Sequence, residues 1–120
     1  MTEELRQALL GCDTDLDGAL YRFGGDEELY LECLRAFMSD PTMGELRSAM
    51  ARQSCDEVFT AAHALKGVAG NMGFVNLFHA AAELVILIRK GQINEVDAAY
   101  PELLHIYNRL LSVIGTYALR

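Results

Sequence analysis

The chain has no tryptophan and only two prolines and three cysteines in 120 residues. Each shortage narrows what it can be. Cys12, Cys33 and Cys55 are odd in number and form no C-x-x-C pair. They read as reduced core or half-buried residues in a reducing compartment. An apolar run long enough to span a bilayer is missing. The most apolar stretch, Ala80 to Ile88, is broken by Glu83 and closed by Arg89-Lys90. The opening Met-Thr-Glu-Glu-Leu-Arg lacks the basic and apolar regions of a secretory leader, so a soluble protein of the cytoplasm, without a membrane partner, is expected. Basic residues are also few. Ten Lys and Arg stand against seventeen Asp and Glu, for a net charge of -7. Scattered as they are, they are a poor match for the phosphates of a nucleic acid. The acidic excess reads most simply as a solvated surface.

What is present is apolar residue in helical rhythm. At 52% hydrophobic the chain can bury a core, and its length suits one domain over residues 1–120. No convincing strand alternation occurs. A short helix is expected from Glu3 to Leu10, stopped by Gly11, and a second from Asp13 to Arg22, ended by Gly24-Gly25. Asp26-Glu27-Glu28 opens a longer helix, with acids in its first turn as the macrodipole prefers. Its apolar positions Leu29, Leu31, Cys33, Leu34, Phe37 and Met38 run to about Ser39. After Pro41 another helix covers Thr42 to Arg52, with Met43, Leu46, Ala49 and Met50 inward. Ser54-Cys55-Asp56-Glu57 has the form of a capping box. It starts a helix whose core stripe is Val58, Ala62, Leu65, Ala69 and Met72. The next helix, about Asn76 to Lys90, is stopped by Gly91. Asn94 is expected to cap a last helix to about Tyr117, kinked or split by Pro101. Its inner side is Val96, Tyr100, Leu103, Tyr107, Leu110 and Ile114. The fold class is all-α. Four main helices with short loops predict an up-down-up-down four-helix bundle with short N-terminal helices capping one end.

The run from Ala62 to Gly73 carries the chemistry. At about 100° per residue, Lys66, Gly67 and Gly70 fall within roughly 60° of His63, and Leu65 and Met72 lie opposite. His63 is therefore expected on the exposed side, with Phe59 four residues earlier on the same face. Gly67 and Gly70 each cost a helix interior about 1 kcal/mol relative to Ala. Their use is close approach, because without a Cβ another surface can come down beside the imidazole. An imidazole nitrogen near neutral pH can attack a phosphoryl group. Lys66 can then offset the charge of the phosphoryl oxygens. No Gly-rich phosphate loop accompanies them, so the chain can hold a phosphoryl group without taking one from ATP unaided.

The run His63-Ala64-Leu65-Lys66-Gly67, followed by Gly70-Asn71-Met72-Gly73, resembles the phosphoacceptor motif of histidine-containing phosphotransfer (HPt) domains of bacterial two-component phosphorelays. The stretch Arg22 to Leu31 also resembles the approach to the first bundle helix of that family. The resemblance implies an elongated four-helix bundle and a phosphoprotein without autonomous kinase activity. In it, His63 accepts a phosphoryl group from a receiver-domain phospho-aspartate and passes it to another receiver aspartate. Lys66 is then the charge partner, Gly67 is the gap beside the ring, and Gly67, Gly70 and Asn71 belong to the face that docks the partner. Asn71 and Gly73 match the motif's end, where the role is more structural. The implied partners are response-regulator receiver domains, a hybrid histidine kinase, or both. No cofactor is implied in this chain, with Mg2+ expected on the receiver, and a monomer suffices. Many members have Ser where this chain has Val68, a position away from the His63 face.

Blander readings stand beside this one. Phe59 packs at the bundle edge or contributes to an apolar docking patch. Glu102-Leu103-Leu104-His105 matches the Glu-x-x-His of di-iron bundles. No second copy exists, since Thr60 precedes His63 and Asn76 precedes His79 at that spacing. His79 and His105 therefore read as surface histidines, and no metal is expected. The alternative function is a non-catalytic helical docking module for signalling partners.

Overall fold

A computed structural model describes residues 1–119. Among them seven helices follow one another: α1 (Glu3–Leu10), α2 (Leu16–Arg22), α3 (Glu27–Phe37), α4 (Thr42–Arg52), α5 (Cys55–Met72), α6 (Val75–Arg89) and α7 (Ile93–Tyr117). The helix starts follow local chemistry. Thr2, Asp15, Asp26 and Ser54 each place a side-chain oxygen on a backbone N–H of the first turn, which satisfies one of the four donors a helix start leaves unpaired. Ser54 supplies one half of a capping box. The other half is absent, because the Glu57 carboxylate is 2.7 Å from Arg52 at the end of α4 and does not reach back to the cap. That bond holds the Glu57 carboxyl below its ordinary range.

Two helix starts and one expected interruption differ from the sequence expectation. α2 begins at Leu16 rather than Asp13. Asp13 sits at φ 56°, Thr14 forms an isolated antiparallel bridge with Phe74, and the Asp15 N–H donates to the Gly73 carbonyl at 2.7 Å. These tertiary bonds hold residues 13–15 out of the helix. α7 starts after Gln92, so Asn94 lies inside it. Pro101 does not split α7, which runs unbroken from residue 93 to 117. The donor that Pro101 lacks would have served the Asp97 carbonyl. Both residues are exposed, where water can take the freed acceptor.

Helix α5 packs against α4 on one side and α6 on the other, α6 against α7, and α7 against α1. The molecule measures 43 × 24 × 21 Å, so α7, at about 1.5 Å per residue, runs along most of its length. The expected stripes of α5 and α7 are buried, with Tyr100 half-buried and Ala61 added to the stripe of α5. The α3 stripe is corrected. Leu29 is 44% exposed, whereas Tyr30 is fully buried and donates its hydroxyl to the Met72 carbonyl at 2.8 Å. Phe37 meets Phe74 and Tyr107 with ring centroids 5.0 and 5.4 Å apart, joining α3, the α5–α6 turn and α7. Cys12 is buried and Cys33 half-buried, as expected, but Cys55 is exposed in the first turn of α5. No helix among the described residues is long and apolar enough to cross a membrane.

Candidate functional site

Eighteen residues long, α5 is the helix around which the site is built. Val58, Ala61, Ala62, Leu65, Ala69 and Met72 face the core, and this fixes the opposite side outward. His63 is exposed on that side, Gly67 and Asn71 are exposed beside it, and Lys66 and Gly70 are half-buried. Arg22, His63, Lys66, Gly67, Gly70, Asn71 and Phe78 line one open cleft of about 320 Å³. No carboxylate and no thiol is in that lining.

Each side chain is held by a neighbour. The half-buried Phe59 ring lies parallel to the His63 ring, with centroids 6.0 Å apart and an interplanar angle of 1°. The Arg89 guanidinium stands 5.1 Å from the centre of the same Phe59 ring. Phe59 thus does two things at once, packing against the core and carrying His63 and Arg89 on its outer surface. The Lys66 ammonium sits 5.7 Å from the centre of the Phe78 ring. Such a contact draws the ammonium of a flexible lysine toward the face of the ring.

The two helix glycines do different work. A Cβ added at Gly67 would meet nothing within 4 Å, so the space beside His63 is open to an approaching surface. At Gly70 a Cβ would lie 3.4 Å from the Phe78 ring. That gap is filled by the protein's own side chain, and Phe78 in turn forms one wall of the cleft.

The C-terminal end of α5 is closed by three separate partners. The Gly73 N–H and the Phe74 N–H donate back to the carbonyls of Gly70 and Ala69, with Gly73 left-handed at φ 78°. Tyr30 takes the Met72 carbonyl. Arg22 Nη2 donates to the Gly70 carbonyl at 2.6 Å and to the Asn71 carbonyl at 3.3 Å. Unsatisfied carbonyls and the negative end of the macrodipole both favour a cation there.

Arg22, Phe78 and Arg89 were not legible as site residues in the sequence. Phe78 and Arg89 follow His63 by fifteen and twenty-six positions, on a different helix, and only the packing of α6 on α5 brings them in. His105 lies elsewhere, in a groove of about 480 Å³ between α6 and α7 that also includes His79, Glu83 and Glu102, whereas His79 in addition borders the cavity lined by Asp15, Arg22, Gly70 and Phe78, its ring 5.5 Å from that of Phe78. Both histidines are exposed. Among the described residues no three His, Cys, Asp or Glu side chains are placed to hold a metal ion. A groove of about 730 Å³ between α4 and α5 has no imidazole and no thiol in its lining.

An exposed histidine with a lysine one turn on, in a cleft free of carboxylates, is suited to holding a phosphoryl group. Among known families, the Hpt domain model matches residues 29–113. The chain belongs to the Hpt domain family. No curated protein and no solved structure matches it significantly. As an Hpt domain it takes part in a two-component phosphorelay, in which such domains interact with receiver domains and histidine kinases. The matched stretch begins in α3 and includes the whole of α4, α5 and α6. It leaves out α1 and α2, and so leaves out Arg22.

Proposed function

We propose that His63 is the phosphoacceptor of a relay step between two receiver domains. The observation that carries this reading is the cleft itself, with an exposed imidazole, a cation and a Cβ-free gap on one ridge of α5. In the forward step the unprotonated ring nitrogen attacks phosphorus of the partner's phospho-aspartate. An N–P bond forms, the acyl P–O bond breaks, and the aspartate leaves as a carboxylate with that electron pair. The other ring nitrogen releases its proton. The second receiver reverses this chemistry. Lys66 offsets charge on the phosphoryl oxygens, and the Gly67 gap lets the partner's loops approach. Phe59 orients the ring, and Gly70 and Asn71 form the far edge of the docking face. Metal chemistry, as Mg2+, comes with the receiver, and the Hpt domain itself has no kinase activity.

The same reading takes the stretch Arg22 to Leu31 as leading into α3 ahead of the bundle, and α4 to α7 as the up-down-up-down bundle itself. Short loops join each of them to the next and each packs on its neighbour in the chain, the arrangement that short connections favour. Residues 1–120 act as one domain and as a monomer in the cytoplasm.

The test is phosphotransfer. Purified protein mixed with a receiver domain loaded with acetyl phosphate should gain an acid-labile, base-stable phosphoryl group. His63→Gln should abolish labelling with the helical circular dichroism intact, and Lys66→Ala should slow transfer roughly ten- to a hundredfold. Labelling of His63→Gln equal to wild type would refute the assignment. Binding of receivers without any phosphohistidine would favour the docking-module reading instead.

A further inference from the structure

We propose that Arg22 is a specificity-determining docking residue, whose guanidinium takes a carboxylate on the rim of the receiver's active site. This inference rests on the phosphotransfer reading of His63. Arg22 comes from α2, outside the stretch that the family model matches, yet it lines the same cleft as His63, Lys66 and Gly67. Its Nη2 is held by the Gly70 and Asn71 carbonyls. A guanidinium has five N–H donors in a rigid fork, so donors remain for an incoming group. Among the described residues no carboxylate forms an ion pair with it, and the side chain is exposed.

Charge and distance decide what it does. The protein is acidic, at -7, but the ridge around His63 carries Arg89 over Phe59, then Lys66, then Arg22 at Gly70. From Phe59 to Gly70 the helix rises about 16 Å. This is a basic strip on an acidic molecule, with Asp15 bordering the cavity next to Arg22 and, among the described residues, not paired with it. A partner site that carries phospho-aspartate and holds Mg2+ through carboxylates is anionic, and the strip complements it. Gly70 is seven residues from His63, about 10 Å along the helix axis. Arg22 therefore stands beyond the phosphoryl group and acts on encounter and orientation, not on the bond being made.

The experiment uses receiver domains loaded with acetyl phosphate, chosen because they label the wild-type protein. Arg22→Gln should raise KM roughly tenfold, move kcat less than about twofold, and flatten the dependence of kcat/KM on salt. Arg22→Lys, which keeps the charge but not the fork, should restore the salt dependence and recover only part of the loss in KM. An unchanged KM in Arg22→Gln, or a kcat that falls with KM constant, overturns the docking role. Where Arg22→Gln is unfolded at the assay temperature, the contact is read from the receiver side with wild-type Hpt domain. One Asp or Glu on the receiver's rim, replaced by its amide, should raise KM by the same factor, and the absence of any such residue overturns the proposal. A wild-type protein that no receiver labels overturns the phosphotransfer reading, a result distinct from normal labelling beside an unaffected Arg22→Gln.

Discussion

At the scale of a residue, His63 is exposed because its neighbours on α5 are buried. Ala62 and Leu65 must face the core, and 100° per residue then turns His63 outward. This much was legible in the sequence, since it depends on one helix and its own periodicity. Gly67 belongs to the same category. Nothing in the fold occupies its Cβ position, so alanine there should stabilise the folded protein by about 0.5–1 kcal/mol through helix propensity. It should also slow transfer from a receiver roughly tenfold, because a displaced approach is costly even at a fraction of an ångström. Urea titration and a transfer time course check the two halves. A Gly67→Ala protein that is more stable and transfers at the wild-type rate would show that the gap has no use.

Among the elements, the turn between α5 and α6 is where the local and tertiary demands coincide. Gly73 closes α5 in the left-handed region, which the sequence pattern allows for. What the pattern did not show is the second constraint. A Cβ at Gly73 would lie 2.5 Å from the Asp15 carbonyl oxygen, because the segment before α2 is bonded to this turn through Asp15 N–H and Thr14. Gly73→Ala should therefore cost about 1–3 kcal/mol in a urea titration, with backbone strain and close contact adding. A loss below half a kcal/mol would mean that the α1–α2 segment moves aside freely. The same bonds explain why α2 starts at Leu16. Asp13, whose carboxylate accepts from the Asn76 amide at 2.8 Å, answers to α6 and not to the helix its composition favours. Pro101 shows the converse. From sequence it predicts a kink or a split, but at an exposed position of a long, well-packed helix one missing donor is absorbed and α7 is not split.

Over the whole molecule, Tyr30 ties α3 to the end of the histidine helix. Its buried hydroxyl serves the Met72 carbonyl, and burial raises the phenol well above its ordinary 10.0. The folded state thus keeps the proton that the unfolded state releases. The contribution to stability is complete below pH 10 and declines as pH rises above it. Tyr30→Phe should lower stability by about 1–2 kcal/mol near pH 7, since the Met72 carbonyl loses its partner. Denaturation series from pH 8 to 11 should show a shallower alkaline decline for the variant than for wild type. A slope identical to wild type would mean that Tyr30 does not titrate with unfolding, leaving Tyr107, also raised by burial, as the main tyrosine involved.

The periodicity of apolar residues, the acidic opening at Asp26, the cap at Ser54 and the glycine stops determined by themselves that this chain is helical, where most helices begin and end, and which side of α5 carries His63. Those properties depend on residues a few positions apart, and local geometry is enough to read them. The tertiary structure decided the surroundings of that histidine. Phe78 fills the gap at Gly70 and holds Lys66, Arg89 lies on Phe59, and Arg22 reaches the last carbonyls of α5 from a helix forty-eight residues earlier in the chain. These contacts join separate elements, and they are set by how apolar faces pack against one another rather than by any spacing along the chain.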